Sequence, residues 1–119
     1  MRLANIVVFR IQDDLGYGMY HTENSSVAMD LYEDSHLSPK DDEGLQCFMG
    51  TDFRMTKHKF GFANIQQLKR WLTKEQRENL AFDGLELVVI RANGIIGDTQ
   101  AIYETKGATI TGRLNLGEI

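Results

Sequence analysis

Two consecutive helix-start signals limit what this chain can fold into more than any other feature does. Each signal is a residue whose side chain can accept a hydrogen bond from the first helical turn, followed three residues later by a glutamine that can return one. The pairs are Asn64 with Gln67 and Thr73 with Gln76. They predict two helices, over about 64–72 and 74–81, with Gly84 as a left-handed stop after the second.

The first of these helices has one apolar face. Ile65, Leu68 and Leu72 recur at the helical period, and Trp71 lies beside them. The tripeptide Phe60–Phe62, a glycine between two aromatic residues, predicts an extended segment whose rings pack on the same core. We therefore expect this region to be scaffold rather than site.

Strands are predicted on both sides of the helices. The run Ala4 to Ile11 is apolar and rich in β-branched residues, which suits a strand that is buried on both faces. A second strand, Leu85 to Ala92, leads into Asn93-Gly94, the strongest short signal for a type I′ hairpin turn. Its partner strand is predicted over Ile95 to Glu104, with Gly97 as a bulge.

Three further segments are predicted as strands. They are Met19 to Thr22, an edge strand within Gly50 to Lys59, and a last strand over Ala108 to Leu116 after a turn at Lys106-Gly107. Strands, then helices, then strands with a hairpin indicate the α+β class. The sheet should be mainly antiparallel, with the two consecutive helices packed on it.

Length and composition indicate a small globular protein. The 119 residues predict one domain, 1–119. No apolar run approaches the ~20 residues that span a bilayer, and the run near the N-terminus is too short for a signal peptide, so we expect a cytoplasmic location. Cys47 is the only cysteine, which excludes an intrachain disulfide, and its apolar setting predicts a buried thiol.

The net charge of −4 conceals two segments of opposite sign. The acidic segment, residues 13–43, holds nine Asp or Glu residues and one Lys, whereas the basic segment, residues 54–77, holds seven Lys or Arg residues and one Glu. Contact between the two segments would explain this pattern as well as an external partner would.

The acidic segment is the predicted partner-binding surface. Its candidate contact residues are Asp30, Glu33, Asp34, His36, Asp41, Asp42 and Glu43. Together with His21, several of these side chains could ligate a divalent cation, but no pair has a recognised ligand spacing. We predict a solvated acidic surface, with no metal and no cofactor.

The basic segment combines positive charge with aromatic rings, which is typical of a nucleic-acid groove. The bases are Lys57, Lys59, Lys69 and Arg70, and the rings are those of Phe53, Phe60, Phe62 and Trp71. The negative net charge opposes the binding of a polyanion. The favoured interpretation is therefore core aromatic residues beneath a solvated basic face, with nucleic-acid binding as an alternative.

A set of polar residues lies at or after the ends of predicted strands. These are Arg10, Tyr20, His21, Gln100 and Glu104. The layout resembles that of ADP-ribosyltransferases, which implies a small NAD-dependent enzyme with Arg10, Tyr20, His21 and Glu104 as catalytic residues. Gln100 and Glu104 are four residues apart, which departs from the family's spacing of two. Alternatively, Arg10 pairs with an acid of the acidic segment.

Sparse motifs along most of the chain carry a second resemblance. They are the strand ending in Arg10, the turn from Gly16 to Tyr20, His36-x-x-Pro39 followed by Asp41, Phe60-Gly61-Phe62, Gln67-Leu68, Trp71-Leu72, Leu80, Gly84 and Gln100. In these residues the chain is similar to a group of small phage and prophage proteins. The resemblance implies a phage origin, and small phage proteins outside the virion often bind a host factor. We expect a phage accessory protein that binds and modulates a host protein or defence factor.

Overall fold

The fold is built from one antiparallel sheet and several short helices. The computed structural model describes residues 3–20 and 38–119. The strands are β1 (Ala4–Gln12), β2 (His58–Gly61), β3 (Glu86–Ile96), β4 (Ala101–Glu104) and β5 (Thr109–Leu114). The α-helices are α1 (Gln46–Thr51), α2 (Ile65–Trp71) and α3 (Lys74–Phe82), with 3-10 turns at Pro39–Asp41 and Leu116–Glu118. The predicted α+β class and mainly antiparallel sheet are confirmed.

β3 is the centre of the sheet because strands pair with both of its edges. β1 follows one edge, from Ala4 opposite Gly94 to Gln12 opposite Glu86. β5 and β4 share the other edge, β5 beside the first half of β3 and β4 beside its C-terminal end. β2 pairs with the outer edge of β4, and all of these pairings are antiparallel.

Two hydrogen bonds close this sheet on itself. The backbone N–H of Phe9 donates to the Phe62 carbonyl, and the N–H of Phe62 donates to the Phe9 carbonyl, both over 2.8 Å. We refer to this pair as the closing bridge. It holds the residue after β2 against β1, so that the path β1-β3-β4-β2 returns to its first strand.

The closed sheet has apolar side chains on both faces. The inner cluster consists of Val8, Val88, Ile90, Ala92, Ala101 and Tyr103, which alternate along their strands. On the outer face, α2 and α3 pack over a cluster that includes Ile11, Phe62, Leu68, Leu72, Leu80 and Leu87. A third cluster, Leu45, Phe48 and Ile102, holds α1 against the sheet.

Gly61 and Gly94 allow the strands to approach closely around the inner cluster. A Cβ on Gly61 would overlap the Val8 side chain and lie 2.9 Å from the Phe9 carbonyl oxygen. A Cβ on Gly94 would overlap the Ile102 carbonyl oxygen. Neither glycine has a positive φ, so what these positions require is the missing side chain rather than a left-handed backbone.

The predicted hairpin turn at Asn93-Gly94 is wrong. β3 continues through both residues, and Asn93 lies opposite Asn5 of β1. The chain reverses later, where the Gly97 N–H donates to the Gln100 carbonyl over 2.8 Å, so Gly97 lies in the turn and is not a bulge. Pairing with strands on both edges overrides the local preference of the dipeptide for a turn.

The other strand predictions are confirmed in part. β1 and β5 are the predicted first and last strands. Val7 is 39% exposed, so β1 is not buried on both faces, because the helices pack only near its Ile11 end. β2 begins at His58, later than the predicted edge strand. Met19 and Tyr20 form a turn instead of a strand, and the rest of that predicted strand, residues 21–22, lies outside the described residues. The predicted burial of the Cys47 thiol is wrong, because Cys47 is exposed.

Both predicted helices are confirmed together with their caps. Asn64 accepts a hydrogen bond from the Gln67 N–H over 2.8 Å, and the box that begins at Thr73 is fully reciprocal. Gln67 accepts from the N–H of Ala63 rather than that of Asn64. Gly84 follows α3 with a φ of 94°. No helix in the described residues is long and apolar enough to cross a membrane.

Gly94→Ala should destabilise the protein by about 3 kcal/mol, because its methyl group meets a carbonyl that cannot move without disturbing the pairing of β3 with β4. Urea unfolding at equilibrium measures the change. Gly50→Ala in α1 is the matched control: no atom lies within 4 Å of its Cβ position, and a gain of up to about 1 kcal/mol is expected. A tolerated Gly94→Ala would refute the close-packing role of this glycine.

Candidate functional site

A cleft of about 590 Å³ opens beside the closing bridge. Its walls come from the end of β1 and the following turn, from residues 53–62, and from the C-terminal end of α2. Six residues with aromatic rings line it, namely Tyr17, Tyr20, Phe53, Phe60, Phe62 and Trp71, and the cations Arg10 and Lys59 line it as well. This volume falls within the range of small-ligand and side-chain pockets.

Arg10 lies where the backbone pairing of β1 with the chain after β2 stops. In a continuous antiparallel ladder, the next hydrogen-bonded pair beyond the closing bridge would join Ile11 to Phe60. Instead, Arg10 Nη1 donates to the Phe60 carbonyl oxygen over 2.8 Å. The arginine side chain thus bridges the two backbones at the point where they separate and the cleft begins.

The guanidinium of Arg10 is held by neutral acceptors. Nη2 donates to the Gly16 carbonyl over 3.3 Å, and Nε donates to Gln12 Oε1 over 3.2 Å. Burial lowers the pKa of Arg10, while Tyr103 and then Asp13 act in the opposite direction. Asp13 of the acidic segment thus acts on Arg10 as a nearby charge, and pairing of Arg10 with an acid among residues 21–37 stays a prediction, because these residues lie outside the described ones.

Lys59 lies on the same side of the sheet as this guanidinium. It pairs with Tyr103 across β2 and β4, and directly paired residues share a face. Burial lowers the pKa of Lys59, and the neighbouring charge of Arg10 lowers it further. Burial raises the pKa of Tyr103, and Arg10 opposes that shift. None of the described residues that line the cleft is acidic.

The aromatic walls are ordered by ring contacts. Phe53 stacks on Phe60 with centroids 5.3 Å apart, and Phe62 meets Trp71 edge-on at 5.6 Å. Trp71 Nε1 donates to the Tyr20 hydroxyl over 2.6 Å. These contacts fix the walls before any ligand arrives, which lowers the entropic cost of binding.

The rim of the cleft exposes two large apolar side chains. Met55 is 87% exposed and Tyr17 is 55% exposed. The turn that carries Tyr17 is held by Asp13 Oδ1, which accepts from the N–H groups of Leu15 and Tyr17, both over 2.9 Å. Neither rim residue was selected from the sequence. For Tyr17, the signal that could have done so is an aspartate four residues earlier in a turn.

The structure brings together part of the set predicted for a transferase. Arg10, Tyr20 and Gln100 all line the cleft. Glu104 lies opposite His58 on β4 and does not line it. His21 lies outside the described residues.

The basic residues predicted to contact nucleic acid do not converge. Only Lys59 lines the cleft, whereas Lys57, Lys69 and Arg70 are exposed elsewhere. The rings of Phe53, Phe60, Phe62 and Trp71 do come together, but as walls of the cleft rather than beneath a row of cations. Within residues 3–20 and 38–119, the ion pairs join Lys74 to Glu78 and Arg113 to Glu86, so neither joins the acidic segment to the basic one.

The acidic segment is described only at its two ends. Asp30, Glu33, Asp34 and His36 lie outside the described residues. Asp41 and Glu43 are exposed, as a partner-binding surface requires, but Asp42 is fully buried. Among the residues that the structure covers, no group of three or more His, Cys, Asp or Glu side chains is placed to hold a metal ion.

The buried carboxylate of Asp42 holds the turn between β3 and β4. Its Oδ1 accepts from the N–H of Gly44 and the N–H of Asp98, both over 2.9 Å. Its Oδ2 accepts from the Thr99 N–H over 2.8 Å and from the Thr99 hydroxyl over 2.7 Å. Burial alone would raise the pKa of Asp42, but the bonds from Thr99, Asp98 and Gly44 outweigh it and lower that pKa below 3.8.

Asp42→Asn should destabilise the protein by about 3 kcal/mol near neutral pH, because the new amide turns N–H groups toward backbone donors that then lack acceptors. Urea unfolding tests this against Asp41→Asn, an exposed neighbour for which a change below about 0.5 kcal/mol is expected. Similar losses in both variants would rule out a specific role for the buried carboxylate.

Acidification should reduce the difference between wild type and Asp42→Asn. The folded-state pKa of Asp42 is lowered, so the stability that its charge contributes is present above pH 3.8 and is lost as the pH falls through the folded-state value. Unfolding free energies measured from neutral to strongly acidic pH should therefore converge for the two proteins. A difference that is constant over this range would contradict the assignment.

One comparison with known proteins gives a match. The model of the Bacteriophage T4 Y00F protein family matches residues 1–117. No curated protein and no solved structure matches the chain. Because the family match spans nearly the whole sequence, the chain belongs to the Bacteriophage T4 Y00F protein family.

Proposed function

We propose that this phage accessory protein acts in the host cytoplasm by binding a host protein or defence factor through the cleft. The observation that carries the proposal is an ordered aromatic cleft with two large apolar side chains exposed at its rim, Tyr17 and Met55. Exposure of such side chains is unfavourable in water, and a partner that covers them recovers that free energy.

The two rim residues suit an interface in different ways. Tyrosine contributes a large, rigid contact area, and residues of this kind often dominate binding energies. Met55 is flexible and polarisable, so it can adapt to the shape of a partner. The ordered walls below them would take a bulky side chain of the host protein, while the rim would contact the adjoining backbone.

The exposed acids next to Pro39 extend this proposal. Asp41 and Glu43 are exposed and remain candidate contacts of the acidic segment, whereas Asp42 serves the turn that it holds. A contact through exposed acids would act mainly on the rate of association and on its salt dependence.

The two alternative functions receive less support from the arrangement of residues. A transferase of the kind that the sequence resembles would need Glu104 in the cleft, and this residue does not line it. A nucleic-acid groove would need several basic residues in a row, and only Lys59 of that set is at the cleft.

Serine substitutions at the rim should weaken capture of the host protein. Tagged full-length protein is used to retain partners from host lysate, the retained protein is identified and purified, and its Kd is measured with each variant. Tyr17→Ser and Met55→Ser should each raise the Kd about tenfold, because each removes a contact that is buried in the complex.

Phe82→Ser is the matched control, since Phe82 is 90% exposed and does not line the cleft. Its Kd should stay within about twofold of wild type. Asp41→Lys and Glu43→Lys test the acidic contact separately. If the rim variants bind the purified partner as wild type does, the cleft is not the contact surface.

A further inference from the structure

We propose that Arg10 and Lys59 form an anion subsite in the cleft, which receives an aspartate or glutamate side chain of the bound partner. This inference rests on the proposed function and specifies its chemistry. The partner segment would carry a carboxylate beside a bulky apolar residue, the carboxylate at the cations and the apolar group against the aromatic walls.

Two cations, Arg10 and Lys59, line a cleft in which none of the described lining residues is acidic. Like charges that lower each other's affinity for a proton are costly to hold together unless an anion compensates them. Burial and then the charge of Arg10 lower the pKa of Lys59, and Asp13 partly compensates the charge of Arg10. In the part of the chain that the structure describes, neither forms an ion pair.

Arg10 has unused hydrogen-bonding capacity. Its guanidinium has five N–H groups. Three donate to acceptors among the described residues, on Phe60, Gly16 and Gln12. One N–H on each terminal nitrogen is therefore left for a ligand, and both belong to a side chain that is already fixed by its other bonds.

The donors that line the cleft indicate the kind of anion. Protein sites for phosphate commonly present several backbone N–H groups from a helix N-terminus or a glycine-rich loop. The helical residue among those that line this cleft is Trp71, at the C-terminal end of α2, so no described helix directs its N-terminus into it. In the glycine-containing turn that lines it, the N–H groups of Leu15, Gly16 and Tyr17 already donate to Asp13. A fixed guanidinium and one ammonium suit a carboxylate, which takes two donors in one plane.

Apolar surface is exposed in the same cleft as the cations. Tyr17 and Met55 line it together with Arg10 and Lys59, and their side chains are 55% and 87% exposed. A ring or aliphatic side chain that packs there would exclude water from the carboxylate and strengthen its attraction to the two cations. The cleft would therefore recognise the acid and the apolar group of the partner together.

A pair of matched small probes tests the subsite. Phenylacetate has the ring and the carboxylate, and phenylacetamide has the same shape without charge. Titrations of the full-length protein followed by amide NMR shifts should give phenylacetate about tenfold tighter binding, with shifts at cleft residues. The preference should shrink when the salt concentration rises from about 0.1 M to about 1 M. Equal binding of the two probes would overturn the proposal.

Two lysine variants locate the effect. Lys59→Gln should reduce the preference for phenylacetate severalfold, while binding of phenylacetamide is unchanged. Lys57→Gln is the control, because Lys57 is exposed two residues away and does not line the cleft. The same spectra report whether each variant is folded. An equal loss of preference in Lys57→Gln would show a diffuse charge effect and overturn the subsite.

A third pair of probes, AMP and adenosine, distinguishes phosphate from carboxylate. If AMP is preferred over adenosine by a larger factor than phenylacetate over phenylacetamide, and Lys59→Gln removes that preference, the site is one for nucleotides and the carboxylate assignment is overturned. Failure of the proposed function has a different signature. The probes would then behave as expected, while the Kd of the host protein would not respond to Tyr17→Ser or Met55→Ser.

Discussion

The pair of hydrogen bonds between Phe9 and Phe62 is the interaction on which the rest of the structure depends. Without it, β2 would be an edge strand with one partner, and β1 would present an unpaired edge to solvent. With it, four strands enclose the inner cluster. Closure requires the backbones to approach until no Cβ fits at Gly61, so one glycine sets the distance at which the sheet can close.

The closing bridge also explains why a cleft forms where it does. The pairing does not continue from the bridge toward the end of β1, and the two backbones diverge. Arg10 supplies from its side chain the donor that the backbone no longer provides to Phe60. An arginine that completes a ladder in this way belongs both to the scaffold and to the lining of the cleft.

The turn between β3 and β4 is specified by distant residues. Gln67 Nε2 donates to the Gly97 carbonyl over 3.0 Å from α2, and Asp42 accepts from Asp98 and Thr99 on the other side. A Cβ on Gly97 would lie 2.5 Å from Leu45 Cγ and 2.7 Å from both carboxylate oxygens of Asp42. The chain therefore reverses where long-range contacts hold it, four residues beyond the dipeptide with the stronger local turn preference.

The sequence predicted those elements whose formation depends on neighbouring residues alone. The caps at Asn64 and Thr73 need only neighbouring backbone groups, and both helices form where those caps begin them. Strand segments rich in β-branched residues were also predictable, because side-chain sterics favour the extended backbone within each segment. Asn93-Gly94 was misread because its conformation depends on partners about 90 residues before it and several residues after it. The role of Asp42 could not be predicted for the same reason, because the N–H groups of Asp98 and Thr99 that it accepts from are distant in the sequence.

The candidate site was predictable only as separate pieces. Arg10 and Tyr20 were selected for one chemistry, and Lys59 with its aromatic neighbours for another, because in the sequence they belong to segments about 40 residues apart. The sheet closure places these pieces in one cleft. Neither original set is complete in this cleft, since Glu104 and most of the basic row do not line it. What remains common to both sets is a positive charge beside aromatic rings. The proposed partner, with an acid next to an apolar group, would match that combination, and the closure of the sheet, rather than any one motif, brings the combination together.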